Sequence, residues 1–159
     1  MNEAVAPPGS DLPHLQGWLP LLQESLARTG VFRWQLTGKS MEPTLPHGCE
    51  IEIVPLSSKL PLGTVVVFAS GSSLVAHRLV HRSRGYLVTQ GDGRRAPDRW
   101  LLPAQLIGLV EKARSDGRRI WPGRGETLLR WRWVGRAYAL AGLRRMRRWL
   151  PSTQSGTRT

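Results

Sequence analysis

The chain has 159 residues, enough for one domain with a real core and short appendages, and 40% of them are hydrophobic, as in a globular protein rather than a disordered one. Lys and Arg number 23 against 11 Asp and Glu, for a formal net charge of +12; arginines crowded between Arg124 and Arg148 place most of that field near the C-terminus. Cys49 is the lone cysteine, which excludes an internal disulfide, and no apolar run or basic leader of the kind a spanning helix or export signal needs is visible.

Residues 1–10 are rich in Ala, Pro, Gly and Ser without periodicity and read as a disordered lead. Over 11–30, Leu12, Leu15, Trp18, Leu19, Leu22 and Leu26 recur at helical spacing. This predicts a short amphipathic helix ending near Thr29, with Pro20 as a break and Gly30 as the stop. Residues 31–120 change character: the β-branched runs VFRWQL, CEIEIVPL, GTVVVF, SLVAHRLVHR, GYLVTQ and QLIGLVEKA are separated by turn residues. They predict a mainly β domain. Asp116-Gly117 is a tight-turn signal that joins the last run to Arg118-Arg119-Ile120. Over 121–150, Leu128, Trp131, Val134, Tyr138, Leu143, Met146 and Leu150 alternate with arginines near the helical period, predicting a basic amphipathic helix before a disordered tail at 151–159.

Chemistry concentrates in three places. The segment Thr37-Gly38-Lys39-Ser40-Met41-Glu42-Pro43 follows a strand and turns at a proline, so it presents the Ser40 hydroxyl just beyond a β-edge. His77 lies in a strand whose alternation puts Val75, His77, Leu79 and His81 on one face and Ala76, Arg78 and Val80 on the other. A serine hydroxyl is a weak nucleophile that needs a base within reach, and imidazole, with an ordinary pKa of about 6.5, can take its proton at neutral pH. An acid on the far ring nitrogen then fixes the tautomer, and Asp98 and Asp92 both lie downstream. Metal chemistry finds no support. His77 and His81 stand four residues apart on a strand, about 13 Å and too far for one ion, while His14, His47 and Cys49 are scattered. Gly91-Asp92-Gly93 lacks the helix opening of a phosphate loop, so no cofactor is expected.

Ser40 to Leu45 resembles the nucleophile box of the type I signal peptidase superfamily, which also includes self-cleaving repressors of the bacterial damage response. Gly63-Thr64-Val65-Val66-Val67-Phe68 resembles the family's Gly-Asp-Val-Val-Val-Phe strand, and Val75 to Val80 resembles its general-base strand, in the His-Arg version of endoplasmic-reticulum-type members rather than the lysine version. Thr89-Gln90-Gly91-Asp92 with Asp98-Arg99 resembles the acidic box of that subgroup, and Gln105 to Val110 the strand that follows.

The resemblance, covering Leu36 to Val110, implies a bent antiparallel sheet or partial barrel of the signal-peptidase type, and peptide-bond hydrolysis. Ser40 would attack and His77 shuttle the proton. Asp98 or Asp92 would orient His77, and Met41 and Gly38 would lie beside an extended peptide or protein substrate with small residues at the cut. Gly48-Cys49 and Gly63-Thr64 stand where members carry Gly-Asp, and Gly38 where many carry a hydroxyl. The oxyanion would then rest on the Ser40 backbone N–H and a neighbouring donor.

A rival reading is a noncatalytic protein on a relic peptidase fold, acting through its basic C-terminal helix. Trp131, Trp133, Tyr138 and Trp149 among arginines suit an anionic membrane surface better than nucleic acid. The expected location is cytoplasmic or peripheral at a membrane, with the tail serving location rather than chemistry.

Overall fold

The computed structural model describes residues 15–71, 73–121 and 131–139. The lead at 1–10, the tail at 151–159 and most of the basic C-terminal segment, Trp149 included, lie outside the described residues.

Helix α1 spans Leu15–Thr29. Leu19, Leu22 and Leu26 fall on one stripe and pack against the main core, with Leu26 buried. Burying a leucine contributes about 1.5–3 kcal/mol, which is why the helix runs through Pro20 instead of breaking there as expected: early in the helix a proline removes one backbone hydrogen bond, and the packed stripe offsets it. The stop is the expected one, since Gly30 adopts φ 76° and returns its N–H to the Leu26 carbonyl at 2.8 Å. Gln23 ties the helix to the sheet by donating to the Leu106 carbonyl at 2.6 Å.

The remainder is mainly β, an open antiparallel sheet of seven strands: β1 (Phe32–Gln35), β2 (Glu50–Val54), β3 (Val65–Ser70), β4 (Ser73–Arg82), β5 (Leu87–Gln90), β6 (Leu106–Ser115) and β7 (Arg118–Trp121). The order is β1-β2-β6-β3-β4-β5, with β7 paired to β6. Long β6 is the hub. Its first half pairs with β3 and its second half with β2, and β7 folds back on its end through the Asp116-Gly117 turn, where both residues have positive φ (49° and 72°).

Both faces of the central strands are covered. On β3, Val65, Val67 and Ala69 join the main core with Ile51, Ile53, Ile107, Val110 and Leu26, while Val66 and Phe68 point the other way, into a second cluster with Leu79, Leu87 and Leu106. This is why GTVVVF shows no polar alternation. Gly108 on β6 allows the layers to close: an added Cβ would lie 2.5 Å from the Val54 carbonyl and 2.8 Å from the Leu26 side chain. Register shifts interrupt β2–β6, β3–β6 and β4–β5, and such bulges bend the strands that carry them.

One expectation needs correction at the C-terminal end. The β domain does not stop at 120, because Trp121 belongs to β7 and is buried. Residues 131–139 form a second helix, α2, within the span where one is expected, and its Val134 and Ala137 are buried.

Candidate active site

Ser40 lies in the long connection between β1 and β2, and that connection is pinned from below. The Leu36 N–H donates to the Cys49 carbonyl at 2.9 Å, and Leu36, Met41, Leu45 and Cys49 all insert into the main core. Burial pushes the Cys49 thiol up to about 11, so it acts as an apolar anchor and not as a nucleophile. Anchors on both sides leave Ser40 half-buried with its hydroxyl facing β4.

The Ser40 Oγ lies 2.9 Å from His77 Nε2, and His77 Nδ1 lies 2.5 Å from Asp98 Oδ2. An ionised carboxylate only accepts, so the ring proton sits on Nδ1 and donates to Asp98, leaving the Nε2 lone pair to accept from the Ser40 hydroxyl. The same Asp98 oxygen accepts from Thr89 Oγ1 at 2.7 Å, and the Asp98 backbone N–H donates to the Thr89 carbonyl at 2.8 Å. Thr89 therefore aims the acid. His77 is 3% exposed and its ring centroid lies 6.0 Å from that of Phe68 in a T-shaped arrangement, so the imidazole is held in one orientation.

Asp92 does something else. Its carboxylate takes the Arg78 guanidinium in a two-pronged grip, Nε at 2.9 Å and a terminal nitrogen at 2.7 Å, with both side chains buried. Arg78 also donates to the Gly63 carbonyl at 2.7 Å and lies 5.3 Å from the Trp121 ring centroid. Neighbours on a strand face opposite ways, so His77 and Arg78 recruit different acids on different faces. The register agrees, with Leu79 opposite Thr89 and Arg78 opposite Gln90. The acid that reaches His77 is Asp98, and the alternative of Asp92 is set aside.

Gly91 and Gly93 let this loop close over the serine segment. Gly93 donates its N–H to the Ser40 carbonyl at 2.9 Å, and a Cβ on Gly91 would sit 2.5 Å from that carbonyl and 3.0 Å from His77 Nε2. Sequence reasoning missed three contributors: Thr89, the pair Arg78–Asp92, and Arg136 of α2, which donates to the Asp92 carbonyl at 2.9 Å while stacking 4.9 Å from the Trp133 ring. Thr89 lay inside a recognised motif without a role, whereas nothing in the sequence connects position 136 with position 92. Within 131–139 the basic segment thus reaches the loop that carries Asp92, through a backbone carbonyl.

One substrate-side expectation needs correction. Met41 does not line the cleft: it is 2% exposed and packed in the main core, because its apolar side chain is worth more as the anchor next to Ser40. Gly38 is exposed with open space beside it. His81 stays out of the site and meets the Tyr138 hydroxyl at 3.0 Å. A cleft of about 650 Å³ opens beside His77 and Asp98, floored by Phe68, Val75 and Leu101. No helix among the described residues is long and apolar enough to cross a membrane.

No family model and no curated protein matches the chain.

Proposed function

We propose that this chain is a serine endopeptidase of the signal-peptidase-like class, histidine subgroup. The observation that carries the reading is the aligned relay, Ser40 Oγ to His77 Nε2 at 2.9 Å and His77 Nδ1 to Asp98 Oδ2 at 2.5 Å, next to a ligand-sized cleft. Ser40 attacks the peptide carbonyl as His77 takes its proton. His77, stabilised as imidazolium by Asp98, then returns the proton to the leaving amine, and water repeats the cycle on the acyl-enzyme. Among the described residues no acceptor takes the Ser40 backbone N–H, which is available to an oxyanion.

A small fluorophosphonate tests the first step. It should label wild-type protein at Ser40 and leave both Ser40→Ala and His77→Ala unlabelled, with melting temperatures near wild type for Ser40→Ala, whose hydroxyl is outside the core. The double variant should be no worse than either single one, because the two side chains act as a unit. Full labelling of His77→Ala would overturn the assignment of the base.

The membrane-surface proposal is supported by Trp131 and Tyr138 of α2, 68% and 52% exposed.

A further inference from the structure

The cleft beside the relay has an unusual charge balance. Arg94, Arg95 and Arg99 share its lining with the apolar side chains of Phe68, Val75 and Leu101. The single carboxylate in the lining is Asp98, whose Oδ2 already accepts from His77 and Thr89. Among the described residues no acid pairs with any of the three arginine side chains. The backbone that carries them is nevertheless fixed: the Arg94 N–H donates to the Gly91 carbonyl at 2.9 Å, the Arg94 carbonyl accepts from the Gln90 side chain at 2.9 Å, and Asp98 is tied to Thr89. Three unneutralised guanidiniums thus share the lining of the cleft with His77 and Asp98 of the relay.

Resting on the peptidase reading, we infer that the substrate is an extended peptide segment carrying acidic residues within a few positions of the scissile bond, its carboxylates meeting Arg94, Arg95 and Arg99 while a small or apolar side chain rests on the floor. Guanidinium forks match carboxylates in geometry as well as charge. The rest of the field helps, because a chain of net charge +12 draws acidic segments toward the cleft and repels basic ones. Successive residues of an extended peptide advance about 3.3 Å, so two acids spaced along the segment can engage different arginines.

The test uses the full chain and a set of synthetic peptides with alanines around the cut and Glu, Gln or Lys at each flanking position in turn, with cleavage read by mass spectrometry and Ser40 labelling by a small neutral fluorophosphonate measured in parallel. Glu peptides should exceed their Gln partners in kcat/KM by up to about fivefold per acid, the upper range for an exposed pair, and Lys peptides should be the poorest. The advantage should shrink in about 0.5 M NaCl, where screening acts within a few Å, and vanish in the variant Arg94→Gln/Arg95→Gln/Arg99→Gln. The wild-type comparison decides the matter even if that variant fails to fold. Equal cleavage of Glu and Gln peptides by a chain whose Ser40 is labelled overturns the charge inference alone. Absence of both labelling and cleavage overturns the peptidase reading and this inference with it. Inhibition by duplex DNA without discrimination among peptides assigns the arginines to nucleic acid and also overturns it.

Discussion

Exchanging Asp98 and Asp92 for asparagine, one at a time, should produce opposite phenotypes. Asp98 is partly exposed and acts on His77, and its oxygen takes two hydrogen bonds that a well-placed amide oxygen can still accept in part. Asp98→Asn should therefore cost about 1 kcal/mol or less in stability. Its effect on chemistry is larger, because an amide can also donate to Nδ1 and stabilise the tautomer with the proton on Nε2, and it no longer balances the imidazolium; a fall of about 10³–10⁴ in kcat is expected. Asp92 is buried against buried Arg78 at 2.7 Å. Asp92→Asn leaves that guanidinium without a counter-charge, at a cost of about 3–5 kcal/mol. For a chain of this size 1 kcal/mol moves Tm by about 2–4 °C, so the midpoint should drop by about 6–20 °C while the protein remains folded at room temperature. Calorimetry and a fluorophosphonate labelling rate on the same samples separate the two outcomes. Wild-type labelling by Asp98→Asn, together with an inactive but thermally unchanged Asp92→Asn, would refute the reasoning and exchange the two roles.

Gly91→Ala should slow labelling of Ser40 by about 10²-fold, because its methyl group must displace either the Ser40 carbonyl or the His77 ring, whereas Gly38→Ala, with open space around it, serves as the tolerated control. Ending the chain after Arg119 removes buried Trp121 and the contacts of α2, so that truncation should lower Tm by at least several degrees; Arg136→Ala alone should cost about 1–2 kcal/mol, read by denaturant midpoint, and a truncated chain as stable as the full one would show that α2 is dispensable. Glu52 is a third site of buried charge. Burial pushes its carboxyl up, but the Lys112 hydrogen bond and the charges of Lys112, Arg114 and Arg33 outweigh that and hold it below the ordinary range. A depressed carboxyl contributes stability above its unfolded pKa and loses it as pH falls through the folded one, so Glu52→Gln should lower stability at neutral pH by about 1–2 kcal/mol and flatten the acid limb of the stability–pH curve; an unchanged acid limb would argue against this.

Much of the architecture was legible from local chemistry. The six β-branched runs and the Asp116-Gly117 hairpin lie where the strands form, because alternation, β-branching and positive-φ turn residues act over a few residues and need no partner to be read. The run through Pro20 was not legible. Its tolerance depends on Leu19, Leu22 and Leu26 finding the sheet, a contact made more than twenty residues away.

The site divides along the same line. Its serine and histidine stand out in the sequence because each sits in a distinctive local setting, a proline-closed turn and a strand carrying His-Arg. The resemblance ranks Asp98 ahead of Asp92 as the partner of His77, but the two are close in sequence and local chemistry alone lets either approach β4. Strand order decided it: β5 lies beside β4 with Thr89 opposite Leu79, which directs Asp98 to the His77 face and leaves Asp92 to Arg78 on the other. Met41 became an anchor and Arg136 became a strut on the loop for the same physical reason. Burial and long-range hydrogen bonds are properties of the assembled fold, so a residue's neighbours in space, and not those in sequence, set what its side chain does.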